Sequence, residues 1–266
     1  MVSIVGAGPG AADLLTVRAL QRLQQAEVVL YDHLVSADIL ACCPTGALME
    51  YAGKQYGDKV DPMTRQNRIN QLMVEYARAG KKVVRLKSGD PFIYGRAIEE
   101  IRYLRECGID CEVVPGITAG IAAAAAYHIP LTERNVSNAV LFCTGHTAGY
   151  DLQQLDALAR MLHNGMTLVL YMGLSNLQPL LEKLQSIAGD EKVYLSAISQ
   201  VSMPTQQIVT DDLDHIGAAI EQARLPMPVV FIIGRQALSL QQAESLLHTE
   251  TLPGAPGAST LKPSVL

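Results

Sequence analysis

Apolar positions along the chain fall into short runs separated by stretches of helical spacing. Val2–Val5, Glu27–Tyr31, Lys82–Leu86 and Glu112–Val114 are brief runs rich in Val, Ile and Leu, bounded by Gly, Pro or Asp, and read as buried strands. Between them the spacing predicts helices. Leu14–Ala26 has Thr16 as N-cap and Leu20 and Leu23 on its buried side; Gln66–Ala79 carries Ile69, Leu72, Met73 and Tyr76 on one face. Ala97–Cys107 and the alanine-rich Thr118–Tyr127 complete the first half, with Pro44–Tyr56 reading as loop. Alanine side chains in the last of these helices allow close packing against a neighbour or a ligand's flat face.

After a connector over Pro130–Asn138 the style resumes. Ala139–Cys143, Thr167–Tyr171, Val193–Ser199, Gln206–Val209 and Val229–Ile233 read as strands, and Asp156–His163, Leu177–Ile187 and Asp214–Arg224 as helices. Strands alternating with helices predict an α/β protein. The division expected is an α/β unit over 1–134, a second over 135–240, and a tail over 241–266 whose Pro, Gly, Ser and Thr content predicts poor order at its end. No period of repeat length recurs.

One stretch stands out, VVRLKSGDPFIYGR from Val83 to Arg96. Its apolar start ends a strand, Ser88-Gly89-Asp90-Pro91 is turn chemistry, and a helix begins after Gly95. A strand, loop and helix in this order put main-chain N–H groups at the carboxyl edge of a sheet, where open α/β sheets bind ligands. An ordinary tight turn has the same spacing. A second glycine loop, Gly6-Ala7-Gly8-Pro9-Gly10, follows the first strand, and Asp32 follows the second. That order suggests a dinucleotide fold, but Pro9 removes a donor where a pyrophosphate needs one.

Composition narrows the options. The 266 residues include no Trp and only 3 Phe, so the core is aliphatic. Net charge is −5, which argues against general nucleic-acid binding. Yet Lys54 to Arg105 holds twelve cations against six anions, a local excess that suits a small anionic substrate. Five cysteines without a C-x-x-C spacing read as reduced packing residues rather than metal ligands, and no metal is expected. No apolar run is long enough to span a bilayer, and the start shows no signal-peptide pattern; a cytoplasmic protein without membrane contact is expected.

Nine stretches agree, in order, with one family: VSIVGAGPG, EVVLYDHLV, Gly53-Lys54, Gln66 with Ile69-Asn70, VVRLKSGDPFIYGR, EVVPGITAG, IPLTER, Thr144-Gly145-His146 and TLVLYMGL. The chain resembles the tetrapyrrole methylases, and within them the enzymes that methylate uroporphyrinogen III. The resemblance implies two α/β domains with the active site in the cleft between them, S-adenosylmethionine as cofactor with S-adenosylhomocysteine as product, and a homodimer. It implies two methyl transfers, to C2 and C7 of the tetrapyrrole, giving precorrin-2 by way of precorrin-1, for sirohaem, cobalamin or haem d1.

Residue by residue, the match carries over Asp32 as proton acceptor and Lys54 as proton donor. It carries over Pro9, Ser88, Gly89, Asp90, Ile93, Thr118, Ala119, Met172 and Val201 as cofactor-binding. Arg65, Arg96 and Arg134 are candidates for the substrate's carboxylates, since a guanidinium binds them in a fork. His33 and His146 read as hydrogen-bonding pocket residues. Four departures from the family bear on substrate choice: Ser88 replaces the usual Gly of K-G-G-D-P, Ala97-Ile98 replace a Gly pair, the segment after Lys54 (QYGDKVDPMT) has no match to the usual G-x-H, and Val201-Ser202 replace Gly-Thr. They leave a later precorrin C-methyltransferase as one alternative. A nicotinamide-dependent oxidoreductase and a non-catalytic cofactor-binding regulator are the others.

Overall fold

The computed structural model describes residues 1–53, 61–145, 152–174, 177–188 and 192–242. Two five-stranded sheets organise it. The first is wholly parallel, with strands β1 (Val2–Gly6), β2 (Val28–Tyr31), β3 (Leu48–Tyr51), β4 (Val83–Lys87) and β5 (Cys111–Val114) in the order β3-β2-β4-β1-β5. β1 and β4 are buried on both faces, which is why they read as largely apolar runs, with Arg85 and Lys87 of β4 the charged exceptions.

Helices α1 (Val17–Gln24), α2 (Ala37–Leu40), α3 (Pro62–Arg78) and α4 (Ala97–Glu106) connect these strands. Thr16 caps α1 by accepting from the Ala19 N–H, so the helix begins there; Ala12–Leu14 form a separate 3-10 turn instead of its first turn. α3 starts a turn earlier than the apolar spacing predicts. Asp61 accepts from the Met63 and Thr64 amides and Pro62 occupies the first helical position, a start signal carried by polar residues. The Pro44–Tyr56 loop is corrected as well. It contains β3, an edge strand in register with β2 whose Leu48 and Met49 are both exposed, so no apolar alternation betrays it.

The second sheet has the order β6-β7-β10-β8-β9, from β6 (Val140–Thr144), β7 (Thr167–Tyr171), β8 (Tyr194–Ser199), β9 (Gln207–Asp212) and β10 (Val229–Gly234). Only β6 and β7 run parallel. Helices α6 (Leu152–His163), α7 (Leu177–Ala188) and α8 (Ile216–Ala223) accompany it, and a leucine-rich core with Phe231 at its centre fills one face.

The remaining helix, α5 (Ala119–Ala126), follows β5 in the chain but packs on the other sheet. Ala122, Ala123 and Ala124 meet Val169, Ile198, Val230 and Ile232 there. The small side chains serve this approach: a Cβ on Gly120 would sit 2.3 Å from Val169 Cγ1.

Candidate active site

The two connections leaving β1 and β4 run in opposite directions along the first sheet, toward β2 and β5. The carboxyl ends of these neighbouring strands therefore form a topological switch point, the usual ligand crevice of an open α/β sheet. Their loops are stitched together: the Gly8 N–H donates to Gly89 O at 3.1 Å and the Gly89 N–H to Gly8 O at 2.7 Å. Both glycines sit at φ near +70°, where a side chain is strained. Gly116, after β5, closes on the same point, where an added Cβ would lie 2.2 Å from Gly89 O. The amides a dinucleotide phosphate would use are thus spent between loops, and the dinucleotide reading of Gly6–Gly10 loses its basis.

Asp90 holds this cradle from its side. Its Oδ1 accepts from the Phe92 N–H at 2.8 Å and its Oδ2 from the Gly116 N–H at 3.1 Å, joining the loops after β4 and β5. The sequence reading gives Asp90 to the cofactor; the structure gives its carboxylate to two main-chain amides, and Asp90 is absent from the lining of the cavity above.

That cavity, about 790 Å³, opens between the two sheets. It is lined by Pro9, Ser88, Gly89, Ile93, Thr118, Ala119, Met172 and Val201, and also by Asp32, His33, Arg65 and Arg96. Lys54 and His146 lie outside the described residues. Arg134 is not brought in. The connector folds back between Glu133 and Ser137, whose amides and carbonyls pair at 2.9 Å, and this turn carries Arg134 exposed, away from the lining. Arg96 sits at φ +57° before α4 and forms an exposed two-bond pair with Glu99, at 2.9 and 2.6 Å. Hydrogen bonding to Glu99 raises the Arg96 pKa above its usual value, so it stays a cation.

Asp32 is half-buried, and its Oδ1 accepts from Arg85 Nη2 at 2.6 Å. Behind it lie Arg85, Lys87 and Glu100, all at most 3% exposed. Glu100 Oε1 accepts from Arg85 Nε at 3.1 Å, Lys87 Nζ at 2.9 Å and Gln66 Nε2 at 3.2 Å. Burial and then the neighbouring Arg85 push the Lys87 pKa down, partly offset by Glu100 and Asp32.

Sequence reasoning missed this group. Its signal was available: Arg85 and Lys87 interrupt a strand whose other residues are apolar, and a cation inside a buried strand demands a partner.

Tyr171 was missed too, read only as a strand end. Its hydroxyl lies 2.7 Å from Thr118 Oγ1 and accepts from the Gly120 N–H at 3.0 Å, so it caps α5 from the opposite sheet. Thr118 makes no capping bond to the α5 amides itself. Burial raises the Tyr171 pKa, keeping the phenol protonated. The Tyr94 ring packs on it at 5.2 Å. On the far rim, Ser202 Oγ accepts from the Ala11 N–H at 2.9 Å. The cleft is therefore tied at two places.

Among the described residues one cluster of potential metal ligands gathers, Asp211, Asp212 and His215, and none of the three lines the cavity.

Comparisons with known proteins place this architecture. Siroheme synthases of Psychrobacter sp. and Pseudomonas aeruginosa are each 43% identical, over 89% and 88% of this chain. The match covers 47% and 49% of those proteins, so the chain spans about half the length of these relatives. A uroporphyrin-III C-methyltransferase from Thermus thermophilus, solved with S-adenosylhomocysteine, is 33% identical with a TM-score of 0.71, covering 88% of this chain and 96% of that one. A cobalt precorrin-4 methyltransferase is 28% identical with a TM-score of 0.78, covering 89% and 95%. Residues 1–217 match the family described as tetrapyrrole (corrin/porphyrin) methylases, and with sequence, sheets and cleft in agreement the chain belongs to that family.

Proposed function

We propose that this chain transfers methyl groups from S-adenosylmethionine to C2 and C7 of uroporphyrinogen III, giving precorrin-2 by way of precorrin-1. The observation that carries the reading is the meeting, in one cavity, of the glycine cradle at the switch point and the Asp32 carboxylate.

The residues fit the cofactor. A cavity of about 790 Å³ is of the size that takes a drug-sized ligand. Gly89 leaves room on its open side, where an added Cβ would meet nothing nearer than Thr118 Cα at 3.8 Å. Met172, exposed at φ +53°, presents an apolar wall. When bound, the cofactor supplies a sulfonium methyl group, an electrophile that a pyrrole carbon attacks as the methyl–sulfur bond breaks.

The remaining work belongs to the chain. Its loops align donor and acceptor, and such positioning supplies roughly 7–11 kcal/mol. Attack leaves the macrocycle cationic, and Asp32, an anion on the cavity wall, takes the proton that restores neutrality. Arg65 and Arg96, which line the same cavity, meet the substrate's carboxylates. Val201 is buried where the family has Gly, packed with Ala122 and Ile198, so its side chain narrows that end of the pocket. A cytoplasmic homodimer belongs to the same reading, and sedimentation of the purified chain reads its assembly.

A later precorrin C-methyltransferase is the second reading, favoured by Ser88 and by the likeness to the cobalt precorrin-4 enzyme. Mass spectrometry after turnover with each reduced tetrapyrrole separates the two. Two methyl groups added to uroporphyrinogen III are expected; none added to it, with one added to a later precorrin, overturns the first reading.

A further inference from the structure

β4 turns two different faces to its neighbours. Val84 and Leu86 pack on the α1 side, while Val83, Arg85 and Lys87 face α3 and α4. At the amino end that second face is apolar, with Val2, Val28 and Val83. At the carboxyl end it becomes ionic, because Arg85 and Lys87 meet Glu100 there. Burying ions costs several kcal/mol each even when paired, and apolar side chains of the same volume often serve stability as well. Core packing therefore does not explain why charge sits at this end, directly behind Asp32.

The Arg85 guanidinium is held on three sides. Nε donates to Glu100, and Nη1 donates to the carbonyls of Leu30 and Leu86 at 3.4 and 3.3 Å. The fourth direction, Nη2, is left for Asp32, whose side chain remains 30% exposed toward the cleft. A planar fork fixed in this way points in one direction; a lysine ammonium would not.

We propose that Arg85 is a positioning residue for the reaction: it fixes the Asp32 carboxylate in one orientation, with Glu100 gripping the fork from behind. This rests on Asp32 being the proton acceptor of the proposed function. Among the described residues, the charged groups lining or backing this corner include Arg85 and Lys87 from β4, Glu100 from α4, Arg65 from α3 and Arg96 before α4, with Gln66 and Asn70 neutral and His33 next to Asp32 on its own loop.

The test is the steady-state kinetics of methyl transfer in three variants, each checked for S-adenosylhomocysteine binding by calorimetry. Arg85→Gln removes the Nη2 donor to Asp32 and should lower kcat by about tenfold or more, with KM little changed and S-adenosylhomocysteine affinity held within about threefold. Arg85→Lys keeps the charge and loses the fork. Its kcat should also fall about tenfold while KM changes little.

Full kcat in Arg85→Gln with binding intact overturns the proposal, and so does full kcat in Arg85→Lys. If Arg85→Gln does not fold, Arg85→Lys decides alone. Asp32→Asn separates the two layers. Near-normal turnover there removes Asp32 from the mechanism and the proposed base with it. Lost turnover there, beside wild-type behaviour of both Arg85 variants, overturns the positioning role only.

Discussion

Replacing Asp90 by Ala tests whether the cradle is held by its own side chain or by the ligand. The substitution removes two acceptors at once, one from the exposed Phe92 N–H and one from the part-buried Gly116 N–H. Hydrogen bonds to a charged group contribute about 1.5–3 kcal/mol each in mutational series, with the exposed one at the low end or below it. The expected loss is roughly 2–4 kcal/mol, a large part of a typical domain's stability. Gly116 would then be free to move from Gly89, and S-adenosylhomocysteine affinity should fall together with stability. Asp90→Asn, whose amide can accept only one of the two bonds, should fall between. Urea denaturation and calorimetry on the three proteins read both quantities. Stability within about 0.5 kcal/mol of the parent, beside a tenfold loss of affinity, would mean that the carboxylate acts on the ligand and not on the loops, and the reasoning would fail.

Other expectations are simpler. Gly116→Ala places a Cβ 2.2 Å from Gly89 O and 2.8 Å from Gly6 Cα, all backbone, so denaturation should show a loss of about 1–3 kcal/mol or more; a neutral effect would contradict the close approach. Burial pushes the Cys143 thiol up to about 12, so labelling at pH 8 should be slower than for a free thiol by on the order of a thousandfold, and comparable rates would refute it. The same shift has a sign in stability. The contribution of Cys143 is complete below the free thiol's pKa and is lost as pH rises from there toward about 12, so Cys143→Ala should flatten alkaline unfolding. Cys43, pushed up to about 11 by burial and then by Cys42, should label slowly by the same logic.

Most strands were legible because strands buried on both faces write themselves as apolar runs, as β1 and β10 do. β3 was not, because an edge strand with exposed Leu48 and Met49 lacks that pattern. α2 was not, since four residues carry too little periodicity and its Ser36 cap is shared with Gly10 O, a contact 26 residues away. The cavity lining was legible mainly through motif order, in the loops at strand ends. The support behind it was not. Arg85 finds Glu100 fifteen residues on, and Tyr171 finds Gly120 fifty-one residues back, pairings that exist only once the sheets and helices are placed. Arg134 shows the converse: an arginine attractive in a motif is swung outward by the turn that carries it.

The phenol at the end of β7 has an effect on how this polypeptide can be divided. The first turn of α5 receives its acceptor from a strand encoded 51 residues later, beyond the connector, so neither half carries a finished copy of that helix. Fragments cut in the 130–138 connector would leave the leading piece with a frayed, alanine-faced end and the trailing piece with a bare apolar sheet surface around Val169 and Ile232. Neither fragment is a portable module, and grafting either onto a foreign partner would require the severed helix to be supplied with it.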